Sequence, residues 1–430
     1  MVEKMNKKKH PMVRNTLLGA AATLIIMLCV YSYFGGIGTG RSADKAEFAK
    51  YAGEVGSISI PAEARVIAFG EATHGNAEFQ QLRLDVFKKA VTENGVKAFG
   101  LEGDAGGCEV VNRYIHGGEG TAEEAAAAIG FEIYRTPETA QLISWMREYN
   151  ETAEPGGDLR FYGFDMQRIE NNYKFLLEGA KKYGVDAAAL EEIWDGDGYS
   201  DAFDRDYRKE VIENVKAQLE VLDHADTTET VYFADILLQN IELGKVVNFA
   251  AEGNVLRDRL MAQNALRLLE REEQRGPGAI FLAGHVGHMA QFGNYTAEDK
   301  IMGNILADKL GDGYFVIGTE FYRSKCNLPK ANGSGRAGHV FYSRDPLAKA
   351  AKKCGYDECW LDFSAVPQDS ALYGDISNYT WQGKLGDVAY SPILMSLLPQ
   401  CYRVWQCPSQ LYDGMIFVSN AHPTVVAEAE

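Results

Sequence analysis

The chain has 430 residues, 46% hydrophobic and 24% charged, with a formal net charge of −17. That length exceeds one small domain and suits one large α/β unit or two lobes, with enough apolar residues for a sizeable core. The acidic balance argues against a nucleic-acid partner, because phosphate binding needs clustered Lys and Arg; solubility alone accounts for it.

The first residues reverse that balance. Lys4, Lys7, Lys8, Lys9 and Arg14 stand against one acid, Glu3, and no charged residue then occurs from Asn15 to Gly40. An apolar run near the ~20 residues that span a bilayer, behind a basic flank, predicts one N-terminal transmembrane helix. The expected layout is a cytoplasmic tail over 1–14, a signal anchor over 15–36, a stalk over 37–62 and a catalytic domain over 63–430. The catalytic domain is then extracytoplasmic, held at the cell membrane. A cleaved signal peptide, with a small-residue site near Gly38-Thr39-Gly40, is the alternative. Cys29 falls in the apolar run. Cys108, Cys326, Cys354, Cys359, Cys401 and Cys407 follow it. Their even number and the expected compartment predict at least one disulfide, with 354/359 and 401/407 as candidate pairs. Neither spacing is that of a zinc knuckle.

Beyond the stalk, short and nearly continuous apolar runs alternate with helical patterns. The runs are Arg65–Phe69, Val96–Leu101, Leu159–Phe164, Ala279–Ala283, Tyr314–Gly318 and Gly414–Val418. Runs of this kind are expected of strands buried on both faces. A helix is expected from Asn76, with Phe79, Leu82, Val86 and Ala90 on one face, ending at Gly95. From 166 to 276 only helical patterns occur, which predicts an inserted helical lobe over the sheet. The expected fold class is therefore three-layer α/β/α with a mixed, mostly parallel sheet, an inserted helical lobe and a preceding transmembrane helix.

Ionisable residues mark the ends of these strands: Glu71, Glu102, Asp165, His285 and Glu320. Ligands of open α/β sheets bind beyond the carboxyl ends of the strands. In Phe69-Gly70-Glu71-Ala72-Thr73-His74-Gly75-Asn76, two glycines frame a tight loop that presents Glu71 and His74 before a helix. Glu71 is placed to orient His74 as a general base, although a structural turn with a capping histidine reads equally from this segment. In Gly284-His285-Val286-Gly287-His288, two histidines three apart follow a strand. They suit either metal ligation or hydrogen bonds to a substrate. There is no G-x-S-x-G elbow, H-E-x-x-H or P-loop.

These segments resemble the erythromycin esterase-like family. The resemblance lies in Gly70-Glu71-Ala72-Thr73-His74-Gly75 with Glu78-Phe79 and Leu82-Arg83, in Leu101-Glu102, and in Phe161–Gln167. It continues through Arg257–Asn264, the His285/His288 pair and Tyr412–Phe417. It implies a two-lobed α/β hydrolase that cleaves a carboxylic ester or macrolide lactone with activated water. It also admits a role in antibiotic resistance. Carried over residue by residue, it implies a catalytic set of His74, Glu71, Arg83, Glu102, His285 and His288. Asp165 and Gln167 are expected to bind substrate. One position departs from the family: Val286 follows His285 where an Asn is usual, which leaves the substrate open.

The expected partner is a small-molecule ester or lactone, with no cofactor and no metal. Two alternatives stand beside this. One is a metal-dependent hydrolase with Glu71, His74, Glu102, His285 and His288 around Zn²⁺ or Mn²⁺. The other is a non-catalytic envelope protein that binds a polysaccharide or lipid precursor.

Overall fold

The computed structural model describes residues 11–33, 41–222, 227–246, 252–276, 278–293, 299–389, 391 and 402–428. In chain order the strands are β1 (Ala52–Gly53), β2 (Val66–Glu71), β3 (Ala98–Asp104) and β4 (Arg160–Asp165), then the small hairpin β5 (Trp194–Asp195) and β6 (Gly198–Tyr199). They continue with β7 (Ile280–His285), β8 (Tyr314–Pro329), β9 (Arg336–Tyr342), β10 (Glu358–Asp362), β11 (Thr380–Gly383), β12 (Arg403–Gln406) and β13 (Gly414–Ala421).

Nine of these strands form one sheet in the order β1-β10-β13-β8-β2-β7-β3-β4, with β9 paired to the outer half of β8. The six from β13 to β4 are parallel. β1, β10 and β9 pair antiparallel, so the sheet is mixed and mostly parallel.

Alternation along each strand divides the core in two. Val66, Ala68, Ile280 and Leu282 face one helical layer, which includes Glu170–Lys182, Thr227–Leu243 and Glu252–Arg275. Ile67, Phe69, Phe99 and Phe281 face the other, formed by Ala77–Asn94, Ala105–Ile115 and Pro137–Thr152. With both faces covered, the strands have no polar side, which is why they read as continuous apolar runs. The helices between 166 and 276 lie directly on the sheet. Tyr232 Oη donates to Gly163 O (2.8 Å) and Asn264 Nδ2 to Phe164 O (3.0 Å).

The N-terminal expectation is corrected. A helix covers Pro11–Tyr33, but no helix among the described residues is long and apolar enough to cross a membrane. The transmembrane anchor over 15–36 and the single-pass membrane placement are thereby overturned. Most of the tail over 1–14, namely residues 1–10, lies outside the described residues. The pairing expected between Cys354 and Cys359 is also absent, since both are free thiols, as are Cys108, Cys326 and Cys407. Cys401 lies outside the described residues.

Candidate active site

The carboxyl ends of β2, β7, β3 and β4 sit side by side, and their side chains meet there. Glu71 and His285 are register partners on β2 and β7. Glu102 follows Leu101, the partner of Ala283.

The loop after β2 is held from several directions. Ala72 N donates to Thr319 Oγ1 (2.8 Å), and Asn76 Nδ2 donates to Lys325 O (2.9 Å) and His422 O (2.8 Å). Gly75 is required by close approach: a Cβ there would lie 2.3 Å from Asn327 O. The helix from Ala77 begins with no side-chain cap, so His74 is available to the site and is not a capping residue. Its ring is buried, with Nδ1 3.4 Å from Glu71 Oε2, an ion-pair separation too long for a strong hydrogen bond. The other Glu71 oxygen accepts from Arg83 Nη1 at 2.9 Å, and Arg83 Nη2 donates to Thr139 Oγ1. Burial pulls the His74 proton affinity down. The nearby carboxylates of Glu71 and Glu102 outweigh it and leave the pKa above its usual 6.5, although Nδ1 makes no hydrogen bond.

Glu102 is the hub of the opposite wall. Its Oε2 accepts the backbone N–H of His285 (2.7 Å), and its Oε1 accepts from Arg257 Nη2 (2.8 Å). His288 Nε2 lies 3.4 Å from Oε1. Burial raises its pKa, but the charges of His288, Arg257 and His74 hold it well below the usual carboxylate range. Arg257 also ties in Asp165 through Nε (3.1 Å) and Nη2. His288 Nδ1 donates to Asp258 Oδ1 at 2.5 Å, so that nitrogen carries a proton. Tyr134 Oη supports the hub by donating to Glu102 O (2.9 Å).

The His285 ring stands 5.0 Å from His74 and 6.2 Å from His288, centroid to centroid. Its Nδ1 accepts the Gly287 N–H (3.3 Å), so Nε2 carries the proton, and that buried atom has no hydrogen-bond partner. Burial, with the charges of His74, Lys384 and His288, pushes its pKa well below 6.5. The surroundings therefore push the proton affinities of these two imidazoles in opposite directions.

All six residues expected to be catalytic are brought together. Asp165 joins them through Arg257, but both its oxygens are spent: Oδ1 accepts Met166 N and Gln167 N, and Oδ2 takes the guanidinium. Gln167 is exposed. Glu320 does not converge. β8 runs on past it to Pro329, and Glu320 turns away to accept Phe321 N and Gly383 N.

Arg257, Asp258, Tyr134 and Lys384 are site residues to which the sequence pattern gave no role. Arg257 and Asp258 stood inside a family-like segment; nothing in the pattern marked Tyr134 or Lys384. As metal ligands the acids are poorly disposed, since Glu71 and Glu102 each carry an arginine. No group of three His, Cys, Asp or Glu among the described residues is placed to hold a metal ion.

Residues 91–421 match the family model described as erythromycin esterase. An erythromycin esterase type II of Escherichia coli is 30% identical over 114 residues, a stretch covering 26% of this chain and 26% of that one. A Bacillus cereus protein of known crystal structure superposes with a TM-score of 0.72 at 18% identity, over 90% of this chain and all of its own. A succinoglycan biosynthesis protein gives 0.73 at 17% identity, over 89% of this chain and 98% of its own. A mutant of the erythromycin esterase EreC in its open conformation gives 0.57 at 16% identity, over 85% and 93%. At these identities the structural likenesses speak to the fold.

Proposed function

The chain belongs to the erythromycin esterase family, and on that premise we propose that it is a hydrolase of a carboxylic ester or macrolide lactone, using water activated by His74. The observation that carries this reading is the His74–His285 pair, two facing rings whose surroundings push their proton affinities apart. Such a split is how one site supplies a base and a neutral donor together.

In this scheme Glu71, clamped by Arg83, turns His74 Nδ1 inward and leaves Nε2 to take a proton from water. The water oxygen attacks the ester carbonyl carbon, and the carbonyl electron pair moves onto its oxygen. His285 Nε2–H, which has no partner in the protein, donates to that oxygen. When the carbonyl re-forms, the alkoxide leaves and takes the proton from the His74 imidazolium. Glu102, held ionised by Arg257 and His288, stabilises that imidazolium and fixes the β7 terminus through His285 N. Asp165 acts through Arg257, and Gln167 is left to meet substrate. The catalytic unit is taken as residues 63–430.

The test is turnover of erythromycin and of p-nitrophenyl acetate by the purified chain. Wild type should hydrolyse at least one of them. His74→Ala should lose ~10²–10⁴-fold, the usual worth of a general base. Absence of turnover of both esters, or full activity in His74→Ala, would end this reading.

A further inference from the structure

Lys384 lies beside Gly287 and His285 and has no role in the proposed hydrolysis. It immediately follows β11, and its backbone is pinned. Lys384 N donates to Tyr402 O (3.0 Å), the next residue's N–H donates to Ala72 O (2.8 Å), and Gly383 N donates to Glu320 (2.7 Å). Leu385 also bridges to Thr73. The lysine is thus mounted against the loop that presents His74.

Its side chain crosses to the other histidine. A Cβ built on Gly287 would lie 2.6 Å from Lys384 Nζ, 2.6 Å from Lys384 Cε and 3.0 Å from His285 Nδ1. The end of the lysine therefore occupies the space that glycine leaves open, alongside the His285 ring. No hydrogen-bond acceptor among the described residues takes its ammonium in the structure. The ionisable groups facing it are His285 from β7 and Asp258 from the helix Glu252–Arg275. A cation without a committed acceptor, beside a neutral imidazole donor, is suited to an anion that appears only during reaction.

We propose that Lys384 is a catalytic residue of this site, its ammonium receiving the carbonyl oxyanion together with His285 Nε2–H. This rests on the ester-hydrolysis reading for its chemistry, while the anion site itself stands on geometry. No proton is transferred by Lys384. It balances the charge that moves onto the carbonyl oxygen when water adds, and it is relieved of that charge when the alkoxide leaves. Gly287 is part of the device, because any side chain there would displace the ammonium.

Two measurements separate this from a structural role. The first is calorimetric binding of methylphosphonate, a tetrahedral anion, to the full chain. Wild type should bind it, Lys384→Met and Gly287→Ala should bind at least tenfold more weakly, and Lys384→Arg should retain part. Equal binding in Lys384→Met, or none in wild type, overturns the proposal. The second is the pH profile of ester turnover. Burial lowers the Lys384 pKa from 10.5, so the ammonium is lost and activity falls as pH rises through that lowered value. In Lys384→Arg the alkaline limb should move to higher pH, and Lys384→Met should lose kcat far more than it changes KM. An unmoved limb in Lys384→Arg also overturns it. Lysine-dependent phosphonate binding without turnover of either ester would keep the anion site and end the esterase reading alone.

Discussion

Arg83 Nη1 and Glu71 Oε1 meet at 2.9 Å with both side chains 1% exposed. A pair buried this deeply contributes little net stability, but losing one partner strands a charge. Arg83→Met should therefore cost about 3–5 kcal/mol. The double variant Glu71→Met/Arg83→Met should recover much of that loss while remaining inactive. Urea unfolding midpoints read both, and a double variant less stable than Arg83→Met would contradict the assignment.

The same carboxylate sets the pH at which His74 works. The His74 pKa is raised above 6.5, so the base form appears only at higher pH, and the acid limb of kcat/KM should lie above 6.5. Glu71→Gln removes a raising charge, and its limb should shift toward acid. The folded state also gains stability from this histidine below its unfolded pKa and loses it as pH rises through the folded value. That slope should flatten in Glu71→Gln. An acid limb below 6.5 in the wild type would rule this out. His116, paired with Asp158 away from the site, serves as control, and His116→Ala should turn over normally.

Arg257 joins two acids from adjacent strands. Arg257→Met leaves Glu102 and Asp165 uncompensated, so melting temperature and kcat/KM should fall together. Arg257→Lys should restore little, because one ammonium cannot reproduce the planar fork that spans both carboxylates. Full recovery by lysine would show that charge alone matters there.

Chelation discriminates the remaining chemistry. Both carboxylates are held by arginine, so prolonged dialysis against EDTA should leave turnover unchanged. Activity that vanishes with EDTA and returns with Zn²⁺ or Mn²⁺ would replace the scheme with a metal-assisted one.

Much of this was legible in the chain. Val66–Phe69 and Ile280–Ala283 are apolar at every position because both faces are covered, and the ionisable residue that ends each run had to meet solvent or a site. Glu320 broke the inference. A buried carboxyl within β8, satisfied by Gly383 N, looks in sequence like a strand terminus. β9 was hidden for the opposite reason, since its residues are mostly half-exposed and lack the apolar signal. Arg257 and Lys384 act across long separations; Arg257 reaches Glu102 from 155 residues away. Nothing in helical periodicity says which exposed-looking cation on a helix or turn folds inward. The N-terminal basic flank and apolar run suggested more than the described structure supports.

The strand order carries a consequence for how the molecule is made. β7 lies between β2 and β3, although both precede it in the chain. The slot must stay open until Ile280–His285 has been synthesised. At 5–20 residues per second, the chain between Asp104 and Ile280 takes on the order of ten to forty seconds to emerge. Throughout that interval two apolar strand edges wait for a partner that does not yet exist, and they are exposed to mispairing with one another or with a neighbouring nascent chain. His285 arrives on the strand that fills the slot, so the arrival that closes these two edges also brings His285 beside His74.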